Sequence, residues 1–263
     1  MSSFIERELG IRMPVTKRVM LESRLQKRLR LHGFISYREY VDYVFSDQGS
    51  RTEMINMIDA VTTNKTDFFR EADHFEFLQS RILPQLMERN TGQFLRFWSA
   101  GCSSGEEPYT LAMVLEDYRS RGIRMDYRIT ATDISTRVLE SAARAIYDIE
   151  KTNPIPFAFK KRYLLKSKDP DRAEVRIRPE LRAKVEFTRV NFMDDTYPLS
   201  TGFDVVFCRN VIIYFDRKTQ ERILGHLCVH LRPGGWLMIG HSETLTGMAL
   251  PLRSIAPTIY MRE

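Results

Sequence analysis

Three features are missing from this 263-residue chain, and each absence removes a class of protein. Cysteine occurs only as Cys102, Cys208 and Cys228. These lack metal-ligand spacing and cannot all pair with one another, which points to a reducing compartment and to no metal site. No apolar run approaches the ~20 residues needed to span a bilayer, and the N-terminus has no signal-peptide core. No Gly-x-x-x-x-Gly-Lys-Ser/Thr loop is present, which argues against a nucleoside triphosphate ligand. Repeats and low-complexity segments are absent as well. The expectation is a soluble cytoplasmic protein without membrane insertion, and nothing calls for more than a monomer.

Apolar residues make up 43% of the chain, enough for one large domain or two small ones. Lys and Arg number 40 against 34 Asp and Glu, a net charge of +6. That excess suits an acidic partner without choosing among protein, nucleic acid and membrane surface.

Residues 1–83 read as a helical domain. Val19, Leu21, Leu25, Leu29 and Leu31 recur at near-helical spacing. The same segment carries Lys17, Arg18, Arg24, Lys27, Arg28 and Arg30 against the single acid Glu22. This is either a solvated face or a docking surface for an acidic partner centred on Arg24, Lys27 and Arg28. Gly33 breaks the helix. Tyr37, Tyr40, Val41, Val44 and Phe45 form the next amphipathic set, and Ser50 or Thr52 is placed to cap a third helix through Val61. Residues 62–70 run polar, aromatic, then basic, a pattern suited to a pocket edge. A helix with Phe75, Leu78, Ile82 and Leu83 stops at Pro84, and 84–93 reads as a linker.

From 94 to 263 strands and helices alternate, the mark of a parallel sheet with Rossmann-like architecture. Residues 97–109 give a strand, a small-residue turn at 101–105 and a helix start. Asp133 ends the next strand, where an acid can hold ribose hydroxyls. Polar residues also close the strands at Asn191 and at Arg209-Asn210, the sheet edge where such folds bind ligands. The turn's helix opens with Glu106-Glu107, which disfavours phosphate and favours a cationic group such as an amine or sulfonium. That charge argument selects S-adenosylmethionine over a nicotinamide dinucleotide. Strands at 164–166 and 174–177, around Asp169-Pro170-Asp171, form a small antiparallel insertion near 160–185. Residues 231–235 read as a turn and 255–261 as a single last strand.

Taken together, residues 66–70, 99–109, 131–134, 207–215 and 240–243 resemble, in order, motifs of the CheR family of chemotaxis receptor methyltransferases. The resemblance covers the chain from the basic helix to the last strand. It implies a helical domain, a class I methyltransferase domain and an inserted β-subdomain. It also implies methylation of glutamates on the cytoplasmic helices of chemoreceptors, with S-adenosylhomocysteine as product. By motif, the cofactor contacts fall on Asn64, Thr66, Arg70, Glu107, Asp133, Asn191, Phe192, Arg209 and Asn210. Arg70 and Tyr214 match residues beside the reacting methyl and the substrate carboxylate. In some members the β-subdomain grips a C-terminal receptor tether peptide; the insertion here lacks a glycine-rich signature, so that partner stays open. A glutamate is already ionised at neutral pH, so methylation needs alignment rather than a general base. His241 is then a supporting residue, and Cys102 and Cys208 are packing residues. Two alternatives are a nucleic-acid methyltransferase and a non-catalytic cofactor-binding module. Against the first, no Asn-Pro-Pro-Tyr-like sequence follows 203–210, and there is no aromatic stacking platform, so no nucleic-acid partner is expected.

Overall fold

Leu21, Leu25 and Leu29 lie four residues apart and form one buried line along α2 (Arg18–His32). In the computed structural model, which describes residues 1–89 and 94–263, that line packs on α1 (Ser2–Leu9), α3 (Tyr37–Val44) and α5 (Met54–Val61) through Ile5, Leu9, Tyr40, Val44, Met57 and Val61. Val19 and Leu31 are off the line and stay 76% and 68% exposed. Gly33, left-handed at φ 72°, ends α2, and Ser36 caps α3 by accepting from the Glu39 N–H. The third helix differs from its expected start. Ser46 caps a short α4 (Asp47–Thr52), and Ser50 and Thr52 fall inside it.

The break at Glu53 between α4 and α5 has a chemical cause. Glu53 is 1% exposed and turns into the core. Both arms of Arg28 reach its carboxylate, Tyr40 donates to it at 2.8 Å, Asn56 at 3.1 Å, and His32 Nε2 lies 3.0 Å away. Burial pushes this acid up, but the bonds from Arg28, Tyr40 and His32 outweigh it and hold it at about 2.

The next helix runs through Pro84 instead of stopping there. It consists of α6 (Asp73–Phe77), a π-helical turn (Leu78–Ile82) and α7 (Leu83–Arg89). The wide π turn immediately before Pro84 relieves the clash and missing donor that proline brings to a regular helix. Residues 84–89 are therefore helix rather than linker, and 90–93 lie outside the described residues. Phe75, Leu78, Ile82, Leu83 and Leu86 pack with Leu95, Phe97 and Tyr127, so this helix shares the core of the α/β body. The core of the helical unit closes at Val61, earlier than the expected end at 83.

The α/β body comprises β1 (Phe94–Ala100), α8 (Glu106–Arg119), β2 (Asp126–Asp133), α9 (Thr136–Arg144), β3 (Ile146–Asp148), α10 (Phe157–Tyr163), β4 (Leu164–Lys166), β5 (Glu174–Ile177), α11 (Pro179–Arg182), β6 (Val185–Arg189), β7 (Phe203–Cys208), α12 (Arg217–His230), β8 (Leu231–Ile239), β9 (Leu252–Ala256) and β10 (Ile259–Arg262). The main sheet is seven-stranded in the order β6-β2-β1-β7-β8-β10-β9. Its first five members are parallel, and β10 pairs antiparallel with both neighbours. Central β1 is covered on both faces, Leu95 and Phe97 entering one core and Trp98 and Ala100 the other. The sheet order reverses at β1, with β2 on one side and β7 on the other, so a crevice opens beyond their C-terminal ends.

Three segments depart from the sequence reading. The Pro233-Gly234-Gly235 segment is a bulge within β8, where pairing jumps from Phe203↔Leu231 to Val205↔Trp236. The last strand is a β9–β10 hairpin that turns at Pro257 and Thr258, the latter at φ 60°. The antiparallel insertion is a sheet of order β3-β5-β4 and begins as early as Ile146. Three residues of β3 are too few to show alternation in sequence.

Candidate functional site

A cavity of about 260 Å³ lies at that crevice. Every expected cofactor contact lines it: Asn64, Thr66, Arg70, Glu107, Asp133, Asn191, Phe192, Arg209 and Asn210, together with Tyr214. The chain reaches it from three directions, namely the β-strand ends, the 62–70 segment and, unforeseen, Leu9 and Ile11 near the N-terminus.

The turn after β1 forms the floor. The N–H groups of Gly101 and Cys102 donate to Thr132 O, which docks the turn on β2. Gly101 sits at φ 84°, and a Cβ there would meet Val211 Cγ2 at 2.4 Å, so only glycine fits. Asp133 accepts from the Ser103 N–H (2.9 Å) through one oxygen and from the Ser135 N–H (3.0 Å) through the other. Burial raises its pKa, against those backbone bonds. The carboxylate keeps acceptor capacity beyond these backbone bonds. Ser135 also caps α9, as expected from sequence.

The two acids opening α8 diverge. Glu106 is 1% exposed and satisfied locally by Ser104 Oγ at 2.7 Å, with Lys151 at 3.5 Å. Glu107 faces the cavity. It accepts from Ser99 Oγ at 2.7 Å, and Arg209 Nε lies 3.5 Å from its second oxygen. Burial raises its pKa, opposed by Arg209 and Ser99. The pair that looked alike in sequence thus divides into a helix-start anchor and a pocket acid.

Arg209, with a 2% exposed side chain, is a hub. Its guanidinium lies between Glu107 and Glu71 (3.4 Å), stacks over Phe75 at 5.3 Å, and donates to the Arg70 carbonyl. Glu71 also receives Asn210 Nδ2 at 3.2 Å. Glu71, His74 and His241 bring potential metal-ligand atoms within 4.8 Å, but the Arg209 guanidinium already supplies the cation beside Glu71. His74 is fully buried, and burial, with help from Arg209, lowers its pKa to about 4.

The 62–70 segment is the roof. Asn64 O accepts from Ser103 Oγ at 2.9 Å, and the Phe69 N–H donates to Thr110 Oγ1 at 3.1 Å, which ties the roof to the floor. Phe69 and Glu71 both adopt left-handed backbone, at φ 53° and 52°. Non-glycine strain of this kind flanks Arg70 and concentrates at sites the surrounding structure holds rigid. Arg70 makes no ion pair with Glu71 or Asp73: Nη1 rests on Lys65 O at 3.2 Å, Glu71 belongs to Arg209, and Asp73 to His241. Arg70 itself lines the cavity.

One expected contact spends its polar groups on the protein: Asn191 Nδ2 donates to Glu8 O at 2.8 Å, holding α1 against the site, and its Oδ1 accepts from the Met193 N–H at 3.1 Å. The Arg12 N–H donates to the backbone carbonyl of Tyr214 at 3.0 Å. Phe192 contributes a ring, 8% exposed, to the core beneath the cavity. Tyr214 ends a 3₁₀ turn (Ile212–Tyr214), and among the described residues its hydroxyl has no hydrogen-bond partner. Cys102 and Cys208 are buried free thiols whose pKa values burial raises, consistent with packing.

The basic helix lies elsewhere. Arg24, Lys27 and Arg28 line a separate cleft with Asp59, Arg137 and Glu140. Arg24 donates to Val61 O (2.6 Å), Thr62 O and Thr63 Oγ1, and Arg28 is committed to Glu53. Of the three, Lys27 alone is exposed.

Comparison with known proteins identifies the family. Residues 1–62 match the family description "CheR methyltransferase, all-alpha domain" and 64–261 match "CheR methyltransferase, SAM binding domain". The chain is 39% identical over 257 residues to a chemotaxis protein methyltransferase of Borreliella burgdorferi, covering 96% of this chain and 89% of that one. It is 37% identical over 259 residues to a chemotaxis protein methyltransferase of Escherichia coli, covering 98% and 88%. It is 37% identical over 251 residues to chemotaxis protein methyltransferase 2 of Pseudomonas aeruginosa, covering 95% and 87%. No described helix is long and apolar enough to cross a membrane. The chain belongs to the CheR family, enzymes that use S-adenosylmethionine to methylate chemoreceptor glutamates.

Proposed function

We propose that the cavity beside Arg70 and Tyr214 is where a receptor glutamate is methylated, with the labour divided among named residues. The observation that carries this reading is the meeting of Glu107, Asp133, Arg70 and Tyr214 in one cavity from distant parts of the chain. An acid-lined pocket fits a cationic cofactor. Glu107 holds the cofactor's amino group and Asp133 its ribose hydroxyls, while Phe192 and Ile134 give apolar wall to the adenosine. When bound, S-adenosylmethionine supplies an electrophilic methyl on a sulfonium.

The chain's own residues then bind, orient and exclude water. Arg209 holds Glu107 in place from behind. Arg70 presents its free donors to a carboxylate, either the cofactor's own or the substrate's, in the fork geometry suited to that group. Tyr214 offers its unpaired hydroxyl at the transfer centre. No base is required, because a glutamate is ionised well below neutral pH. The roof and the N-terminal segment shield the site, and orientation of reacting groups can supply roughly 7–11 kcal/mol in favourable cases.

The partner is the cytoplasmic domain of a methyl-accepting receptor, met by a monomeric cytoplasmic enzyme. Lys27 and its exposed neighbour Arg30 are the cations left free on α2 for acidic helices. Strand β4, paired only with β5, is an open edge where an extended receptor tail could add by main-chain pairing. The test is incubation of receptor cytoplasmic fragments, with and without their C-terminal tails, with methyl-labelled cofactor. A base-labile label on the fragment, lost in Arg70→Ala, supports the assignment. A base-stable label, or one carried by nucleic acid, overturns it. Equal labelling with and without the tail removes the tether.

A further inference from the structure

The motif Gly240-His241-Ser242-Glu243 lies after β8, and no expected cofactor contact falls on it. Yet the Glu243 carboxylate, 7% exposed, is the acceptor for a run of backbone donors. Oε1 accepts from the N–H groups of Val211 and Ile212, both at 2.9 Å. Oε2 accepts from Asn210 N–H at 3.0 Å and Gly240 N–H at 2.6 Å. Successive N–H groups converging on one anion form a nest, and here the anion is supplied by the protein itself. Asn210, at φ 58°, gives the turn the left-handed residue that aims those donors inward.

The turn so held carries three pieces of the site. Asn210 lines the cavity and bonds Glu71, Val211 closes on Gly101 of the floor, and the following 3₁₀ turn presents Tyr214. Gly240 completes the clamp from the other side: a Cβ there would lie 2.5 Å from Asn210 Nδ2 and 2.8 Å from Asn210 N.

We infer that Glu243 is a positioning residue for methyl transfer, fixing the 210–214 turn so that Asn210 meets the cofactor and Tyr214 meets the transfer centre. The inference rests on the roles proposed above for Asn210 and Tyr214. Replacing the carboxylate by an amide turns one acceptor into a donor aimed at backbone N–H groups, so the nest opens while the side chain's size is kept.

Full-length Glu243→Gln, Gly240→Ala, Tyr214→Phe and the Glu243→Gln/Tyr214→Phe double variant are compared. The readouts are kcat on a receptor fragment, calorimetric affinity for S-adenosylhomocysteine, and thermal unfolding. Glu243→Gln is expected to weaken product affinity and lower kcat, each by about tenfold or more, with cooperative unfolding retained. The kcat of the double variant is expected to exceed that calculated by multiplying the two single losses, because both act through one turn. A Glu243→Gln enzyme within twofold of the parent on both measures overturns the inference, as do independent, multiplicative losses where Tyr214→Phe by itself lowers kcat. Should Glu243→Gln fail to fold, Gly240→Ala decides: it pushes the turn without removing the carboxylate, and unchanged affinity and kcat there overturn the inference. An unchanged kcat in Tyr214→Phe sinks the Tyr214 role alone, while loss of product affinity in Glu243→Gln still supports positioning through Asn210.

Discussion

Glu53 and Glu107 are both glutamates beside an arginine, one fully buried and the other half-buried at the cavity, and their surroundings push them in opposite directions. Glu53 sits in the helical unit with Arg28, Tyr40, Asn56 and His32 around it, and these bring it down to about 2 despite burial. Glu107 sits at the cavity with one hydroxyl bond and an arginine that it shares with Glu71, and burial raises its pKa. A carboxylate whose acceptor capacity is filled by the protein is an anchor. One left partly unfilled beside a cavity is, in the function proposed above, a binding group. The same contrast separates the cations: Arg24 and Arg28 are consumed inside the fold, whereas Arg70 rests one donor on Lys65 O and lines the cavity.

That contrast can be broken in five ways. The largest effect is expected for Glu53→Ala, which leaves Arg28 without its buried partner and should cost about 3–5 kcal/mol in urea unfolding. A loss under 1 kcal/mol would show that the helical unit does not depend on this anchor. Arg70→Ala should leave unfolding near that of the parent but lower kcat/KM by about 100-fold or more, as for a lost orienting group. Glu107→Gln should weaken cofactor binding about tenfold, read by calorimetry, with a smaller stability change than Glu53→Ala. If it proves instead to be mainly a stability variant, the two acids are of one kind.

The fourth is a pH effect. The folded-state pKa of Glu53 lies at about 2, below its ordinary 4.5, so its contribution is fully present above 4.5 and is lost as pH falls toward about 2. The unfolding midpoint should therefore decline across that window in the parent and more shallowly in Glu53→Gln. Parallel declines would place the acid sensitivity elsewhere. The smallest effect is expected for Lys27→Glu, a few-fold loss of receptor methylation that shrinks with added salt and leaves unfolding unchanged. Charge reversal at Arg24 or Arg28 should instead destabilise the fold. A variant series in which all three behave alike would erase the distinction.

Much of this site was legible because strand ends are. In an alternating α/β pattern the C-terminal end of each strand falls on the same sheet edge, so Asp133, Asn191 and Arg209-Asn210 could be assigned to one region before any contact was known. The helix-opening acids were equally visible, and their charge gave the sign of the ligand. What could not be read was which of the two acids faces inward, since Glu106 and Glu107 differ only by the 100° that separates neighbours on a helix. Leu9 and Ile11 carry no local mark of a binding role, and only the packing of α1 through Glu8 and Asn191 brings them to the cavity. Pro84, which the sequence presents as a stop, sits within the helix because the π turn before it accommodates a proline.

The sequence by itself determined the periodicities, and with them the helical unit, the parallel sheet and the edge where the cavity opens. Period, charge and turn chemistry are local, and they survive without knowledge of distant neighbours. Only the tertiary structure decided how each charged group is used. Arg28 and Arg70 are the same residue in sequence, and Glu53, Glu107 and Glu243 are the same acid. What separates them is how much of each one's hydrogen-bonding capacity the rest of the chain fills, and those partners range from near neighbours, such as Asn56 for Glu53, to distant residues, such as Arg209 for Glu107.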